Sequence, residues 1–167
     1  MIEAVTSKVV GAIAVFALLG SVLGFFSIQN SAMEEGSFRE MCESLAESID
    51  AASSVNARLR LNYTFNADEG GRRLEPLFRG RGYEIEIRPG SVSLRQDGLA
   101  ASSALVATVH VWDPALLGGE DWSSGGAISH LDALHTVLKI PSGRGFALER
   151  ALVGVGGERS YMTFVHI

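Results

Sequence analysis

Apolar residues follow three successive patterns along this chain. From residue 9 to residue 28 the sequence reads VVGAIAVFALLGSVLGFFSI, twenty positions without a charge, a proline or a strongly polar side chain. Val9, Val10, Gly11, Ile13, Val15, Phe16, Leu18, Leu19, Gly20, Val22, Leu23, Gly24, Phe25, Phe26 and Ile28 make it apolar all round, with only Ser21 and Ser27 as a polar side. A helix of that length rises roughly 30 Å, the hydrocarbon thickness of a bilayer. The pattern predicts a transmembrane anchor helix over 1–33.

Over 34–57 the apolar positions thin to a helical spacing. Phe38, Met41, Cys42, Leu45, Ile49, Ala52 and Val55 recur at intervals of three and four, with Glu40, Glu43, Glu47 and Asp50 on the other side. Gly36 is the one weak point, costing about 1 kcal/mol relative to alanine. The expected element is one long helix, membrane-spanning in its first half and amphipathic in its second.

From residue 58 onward the period drops to two. Leu59, Leu61, Tyr63 and Phe65 alternate with polar residues, as do Tyr83, Ile85 and Ile87 and then Val92 and Leu94. Pro89-Gly90 and Asp97-Gly98 supply turns, and 104–112 reads as a longer strand ended by Asp113-Pro114. Residues 136–140, 146–153 and 159–167 complete seven strands, the last two joined across Gly156-Gly157 as a hairpin. Residues 66–73 read as a polar connector, and 74–78 as either a helical turn or apolar loop residues sealing the sheet. The expected fold class is α+β: a long N-terminal helix followed by an antiparallel β-sandwich-like head over 58–167.

Composition narrows the function classes. A net charge of −5 and a pI near 5.3 leave no basic stripe for nucleic acid. The single cysteine, Cys42, allows no intrachain disulfide. Lys8 before the apolar run, with no basic residue after it until Arg39, favours a cytoplasmic N-terminus and an extracytoplasmic head. A cleavable secretory signal is the competing reading, but the run is longer than the usual 7–15 residues and Asn30-Ser31-Ala32 is a poor cleavage site.

Signals for catalysis are thin, and no enzyme and no cofactor is expected. His130, Asp132 and His135 could converge on a metal only if three side chains spaced for neither a helix face nor a strand face met; no metal site is expected. The glycines at 143–145 and 154–157 lack the strand-to-helix setting of a phosphate loop. Glu84 and Glu86 fall on the side of a strand expected to be solvated. Asn62-Tyr63-Thr64 fits the N-glycosylation sequon, with Asn62 on the outward parity of its strand. Trp122, in a Gly/Ser-rich stretch, is either a contact residue or a plug for the end of the sandwich.

A bilayer-length apolar helix that continues as an amphipathic helix and feeds a β-rich head is similar to the type IV pilin architecture. The opening Ala4-Val5-Thr6-Ser7-Lys8-Val9-Val10-Gly11 resembles the start of mature archaeal pilins and archaellin-like proteins. That resemblance implies a pilus or archaellum subunit at the cell surface, held first by membrane lipid and then by homo- or hetero-oligomeric contacts with pilin-like subunits through the same helix. Gly20 and Gly24 form a GxxxG pair for close approach. Lys8, and Ile2-Glu3 where archaeal prepilins carry a basic residue, point to a minor pilin or accessory protein rather than a major subunit. The alternative is a single-pass protein whose extracellular β-sandwich binds a ligand or partner without polymerising.

Overall fold

The computed structural model describes residues 2–65, 71–112, 137–155 and 158–167, with side-chain environments for all of these except 2–15, 17, 155 and 158. The chain divides into two compact units, Met1–Ser37 and Phe38–Ile167.

One helix, α1 (Ile2–Ser54), runs unbroken through Gly36. It contains no proline, and its amphipathic part is rich in Glu, Ala, Leu and Met, all favourable in helices. Its end is tied off twice: the Ser54 hydroxyl donates to Ala51 O at 2.7 Å, and the Arg150 guanidinium donates to Val55 O. A cation on the last carbonyls suits the negative end of the helix.

Among the described residues of the second unit the helix is followed by nine strands: β1 (Leu59–Thr64), β2 (Arg72–Arg73), β3 (Glu84–Arg88), β4 (Ser91–Gln96), β5 (Leu99–Ala104), β6 (Val109–Trp112), β7 (Leu138–Pro141), β8 (Phe146–Val155) and β9 (Glu158–His166). They form a five-stranded sheet in the order β2-β1-β8-β9-β6 and a four-stranded sheet in the order β5-β4-β3-β7. The α+β class holds, and β8 and β9 pair as a hairpin from Ala147↔His166 to Val155↔Glu158. The expectation of an antiparallel head is corrected: β1 pairs with β2, and β6 with β9, in parallel. Alternation marks a strand but carries no direction, which only the return path of the chain decides.

Of the predicted strand over 104–112 only Ala104, the last residue of β5, and Val109–Trp112, which is β6, are strand, and the two lie in different sheets. β5 is the edge of the four-stranded sheet and β6 the edge of the five-stranded one. Between them the Asp50 carboxylate accepts from Val106 N at 3.0 and 3.1 Å and from Ala107 N at 3.0 Å, while Leu105 N and Val109 N donate to Gly90 O and Pro89 O. An acid from the helix thus satisfies the backbone where the chain crosses between layers. Asp50→Ala is expected to cost about 2 kcal/mol, and Asp50→Asn less, read from the midpoint of denaturant unfolding. Another crossing, between β7 and β8, uses Gly143 at φ 99° and Gly145, where an added Cβ would lie 2.8 Å from Tyr63 O.

The main core joins both sheets to the helix. Phe38, Cys42, Leu45, Ala46, Ile49 and Ala52 meet Tyr63, Ile85, Ile87, Val92, Leu94, Val111, Leu138, Ile140, Leu148 and Val165. The predicted helical face is therefore buried, except at Met41, which is partly buried against the core, and at Val55, which lies past the helix end and is 41% exposed. Tyr63 stacks on Phe146 at 4.5 Å between centroids, and its hydroxyl lies 2.7 Å from Ser48 Oγ. Leu74 and Phe78 form no helix; they pack against the core as loop residues.

Candidate functional site

Two regions hold the residues that the sequence singles out. The first is the apolar part of α1. Phe16, Leu18, Leu19, Val22, Leu23, Phe25, Phe26 and Ile28 are 47–74% exposed. Around Gly20 and Gly24 a side chain would meet nothing within 4 Å, so this helix surface is open on its glycine side too. Polar side chains turn inward along the helix: Ser31 Oγ donates to Ser27 O at 3.1 Å, and Asn30 Nδ2 to Glu34 Oε1 at 3.1 Å. Covering eight such large side chains is worth on the order of 10–20 kcal/mol. Among the described residues nothing of this chain covers that apolar surface.

The side chains of Val9, Val10, Gly11, Ile13 and Val15 lie outside the described residues. Among the described residues no helix is long and apolar enough to cross a membrane, so the transmembrane expectation finds no support there.

The second region is the head. Asn62 is exposed on β1, as its parity predicts, and its Oδ1 accepts from Arg60 Nε at 3.5 Å. Trp122, His130, Asp132 and His135 lie outside the described residues. Among the described residues no group of three or more His, Cys, Asp and Glu could hold a metal ion. Cys42 is buried, its Sγ 3.5 Å from Val92 O, and burial raises its pKa above the ordinary thiol value. That thiol is poorly suited to nucleophilic chemistry.

Glu86 differs from expectation. It lies opposite in parity to the core residues Ile85 and Ile87, yet is only 2% exposed. Arg88 bonds its Oε1, and Arg95 Nε lies 3.3 Å from its Oε2. Arg88's hydrogen bond, opposed by burial, holds the carboxyl below its usual pKa. The neighbouring pair Glu84–Lys139, at 3.9 Å, is an exposed contact of little consequence. No pattern within β3 distinguishes Glu84 from Glu86; the cover comes from Arg95 on β4 and Arg88 on β3 itself.

His166 is buried, with Nε2 3.8 Å from Glu149 Oε2. Burial first, then the Arg60 charge, push its pKa down to about 4, against the pull of Glu149. At neutral pH the imidazole is uncharged, so this contact is not an ion pair. Because the folded value lies below the unfolded one, stability is complete above about pH 6.5 and falls as pH drops towards 4. Between pH 7.5 and pH 5 the expected loss is about 2 kcal/mol. Denaturant unfolding at the two pH values measures it, and His166→Phe should flatten the difference. A loss that persists in that variant would assign it elsewhere.

Among the described residues of the head, two of the cavities have more than one arginine in their lining. One, of about 280 Å³, lies beside β1 and β8 and is lined by Arg58, Leu59, Arg60, Glu149, Arg150 and Leu152 among others. The other, of about 230 Å³, has an apolar floor of Leu45, Tyr83, Ile85 and Leu94 with Arg72 and Arg73 at its wall. Burial pushes the Tyr83 hydroxyl up to about 12, and it donates to Glu75 O at 2.6 Å. Neither cavity is legible in the sequence, because each draws residues from segments far apart in the chain.

No protein-family model, no curated protein and no solved structure matches this chain.

Proposed function

We propose that this chain is a pilin-like protein: anchored in the membrane by its N-terminal helix, with its head outside, and acting as a subunit, minor pilin or accessory component of an archaeal type IV pilus or archaellum-like filament. The observation that carries the reading is the continuity of α1. One helix places large apolar side chains in the open over 16–28 and builds the core of a β-rich unit from Phe38 onward. Membrane lipid is the cover for the first stretch before assembly, and the same stretch of neighbouring copies is the cover afterwards. The similarity of residues 4–11 to archaeal pilin starts supports the same assignment. In this arrangement Asn62, exposed on β1, is available for glycosylation.

The test is mass spectrometry of membrane and sheared-filament fractions of the natively expressed protein, reading its amino terminus in each. Recovery in filaments supports the assembling reading. Recovery only in membranes, with the helix intact, moves the assignment to a single-pass protein whose head binds a ligand without polymerising. The arginine-walled apolar cavity at Tyr83 favours that second reading. A terminus beyond residue 32 sinks both.

A further inference from the structure

The net charge of −5 has one location in the chain. Residues 58–167 hold twelve basic and twelve acidic side chains, and residues 1–33 hold one of each. Residues 34–57 hold six acids against Arg39 alone. Glu40, Glu43 and Glu47 follow at spacings of three and four, which puts them on one helix face. All three are exposed, and none has an ion-pair partner among the described residues. Like charges one turn apart disfavour the helix that carries them. Asp50, farther along, is already engaged by Val106 N and Ala107 N.

The same unit carries a surface of opposite sign. β1 begins at Leu59, opposite Arg150, while β8 continues to Val155, paired there with β9. The 280 Å³ cavity sits at this corner, with three guanidiniums and the single carboxylate of Glu149. Arg150 is held by Val55 O, by Thr163 Oγ1 at 3.1 Å and by the face of Tyr161 at 5.6 Å. Arg58 and Arg60 are exposed, and Arg58 has no hydrogen-bond or ion-pair partner among the described residues.

We infer that this arginine cavity receives the Glu40–Glu43–Glu47 helix face of a second copy of the chain. The inference rests on the assembling reading above and names the contact through which the heads join. Guanidiniums pair with carboxylates through two parallel hydrogen bonds, so Arg58 and Arg60 suit a row of glutamates better than a single small anion. Acidic face and cavity are different surfaces, so each copy offers one to its predecessor and the other to its successor. Such a heterologous contact propagates from copy to copy, as a filament or a ring requires. Arg150 stays fixed as the wall of the cavity, while Arg58 and Arg60 supply the available donors.

The experiment uses the full chain, expressed in membranes with two different tags, and reads how much of one tagged copy is recovered with the other. Self-association should fall about tenfold or more in E43K/E47K and, separately, in R58E/R60E, and in the wild type it should weaken as salt is raised. Mixing the two variants should restore it, because every lysine face then meets a glutamate cavity and every glutamate face an arginine one. Thermal melts check that each variant is folded, and E43Q/E47Q replaces a reversal that lowers the melt. Variants that fold and self-associate like wild type overturn the inference, as does a mixture that stays dissociated. If wild type self-associates and only the charge variants are without effect, the filament reading stands and this contact falls. If wild type does not self-associate, this contact falls, while the filament reading stands or falls on recovery in sheared filaments.

Discussion

On the proposal that α1 anchors the chain in a membrane, arginine at both Leu19 and Leu23 is expected to release it from the carbonate-resistant membrane fraction, while alanine at the same positions leaves it there. Leu19 and Leu23 are 53% and 68% exposed on a helix whose surroundings are apolar for several turns. Each arginine near the centre of an inserted helix costs about 3 kcal/mol on insertion scales, so the pair removes about 6 kcal/mol of anchoring. Alanine shortens the side chain without adding a charge. Quantitative immunoblotting of extracted membranes reads the difference. A double-arginine variant that stays in the membrane fraction would show that this helix is not what holds the protein there.

Phe38→Ala is expected to destabilise the head by about 3–5 kcal/mol, the range for removing a buried aromatic side chain. Phe38 is 1% exposed, with its ring 4.9 Å from that of Phe78 and 6.4 Å from that of Tyr83. It is the first core residue of the second unit, so the substitution opens the entry of the helix into the sheets. Val55→Ala, on the same heptad-like series by sequence but 41% exposed, should change stability by no more than about 0.5 kcal/mol. Guanidinium unfolding followed by circular dichroism separates the two. Equal, small effects would mean that the amphipathic segment is not an integral part of the β-domain's core.

The contrast between these two residues shows how far the pattern of the chain reaches. Phe38, Met41, Cys42, Leu45, Ile49 and Ala52 are placed by spacing alone, and all pack into or against the core. Val55 continues the spacing, but the helix ends at Ser54 and Arg150 takes the next carbonyl. The hairpins β3–β4 and β8–β9 are legible because period-two alternation flanks Pro89-Gly90 and Gly156-Gly157. β5 is not, because LAASSA is small and polar, with Leu99 its only large apolar residue. β2 is only two residues long, its arginines exposed, and it exists by pairing with β1.

The candidate site divides in the same way. The apolar run of α1 is legible because it depends on composition over consecutive residues. The arginine cavity depends on Leu59 lying opposite Arg150, a pairing of segments some ninety residues apart. Charge counts alone place the excess acid on 34–57, but its counterpart becomes a surface only when β1 and β8 meet.

By itself, then, the sequence determines the apolar-to-amphipathic helix and the strands whose apolar residues alternate, β2 and β5 excepted. These follow from periodicities of 3.6 and 2, which are properties of consecutive residues. Tertiary structure alone decides that β5 and β6 part company at the Asp50 carboxylate, that β6 runs parallel to β9, and that Glu86 and His166 are buried. Each of these depends on which distant segment arrives alongside. That choice is made by packing and hydrogen-bond satisfaction across the whole unit, and no local pattern encodes it.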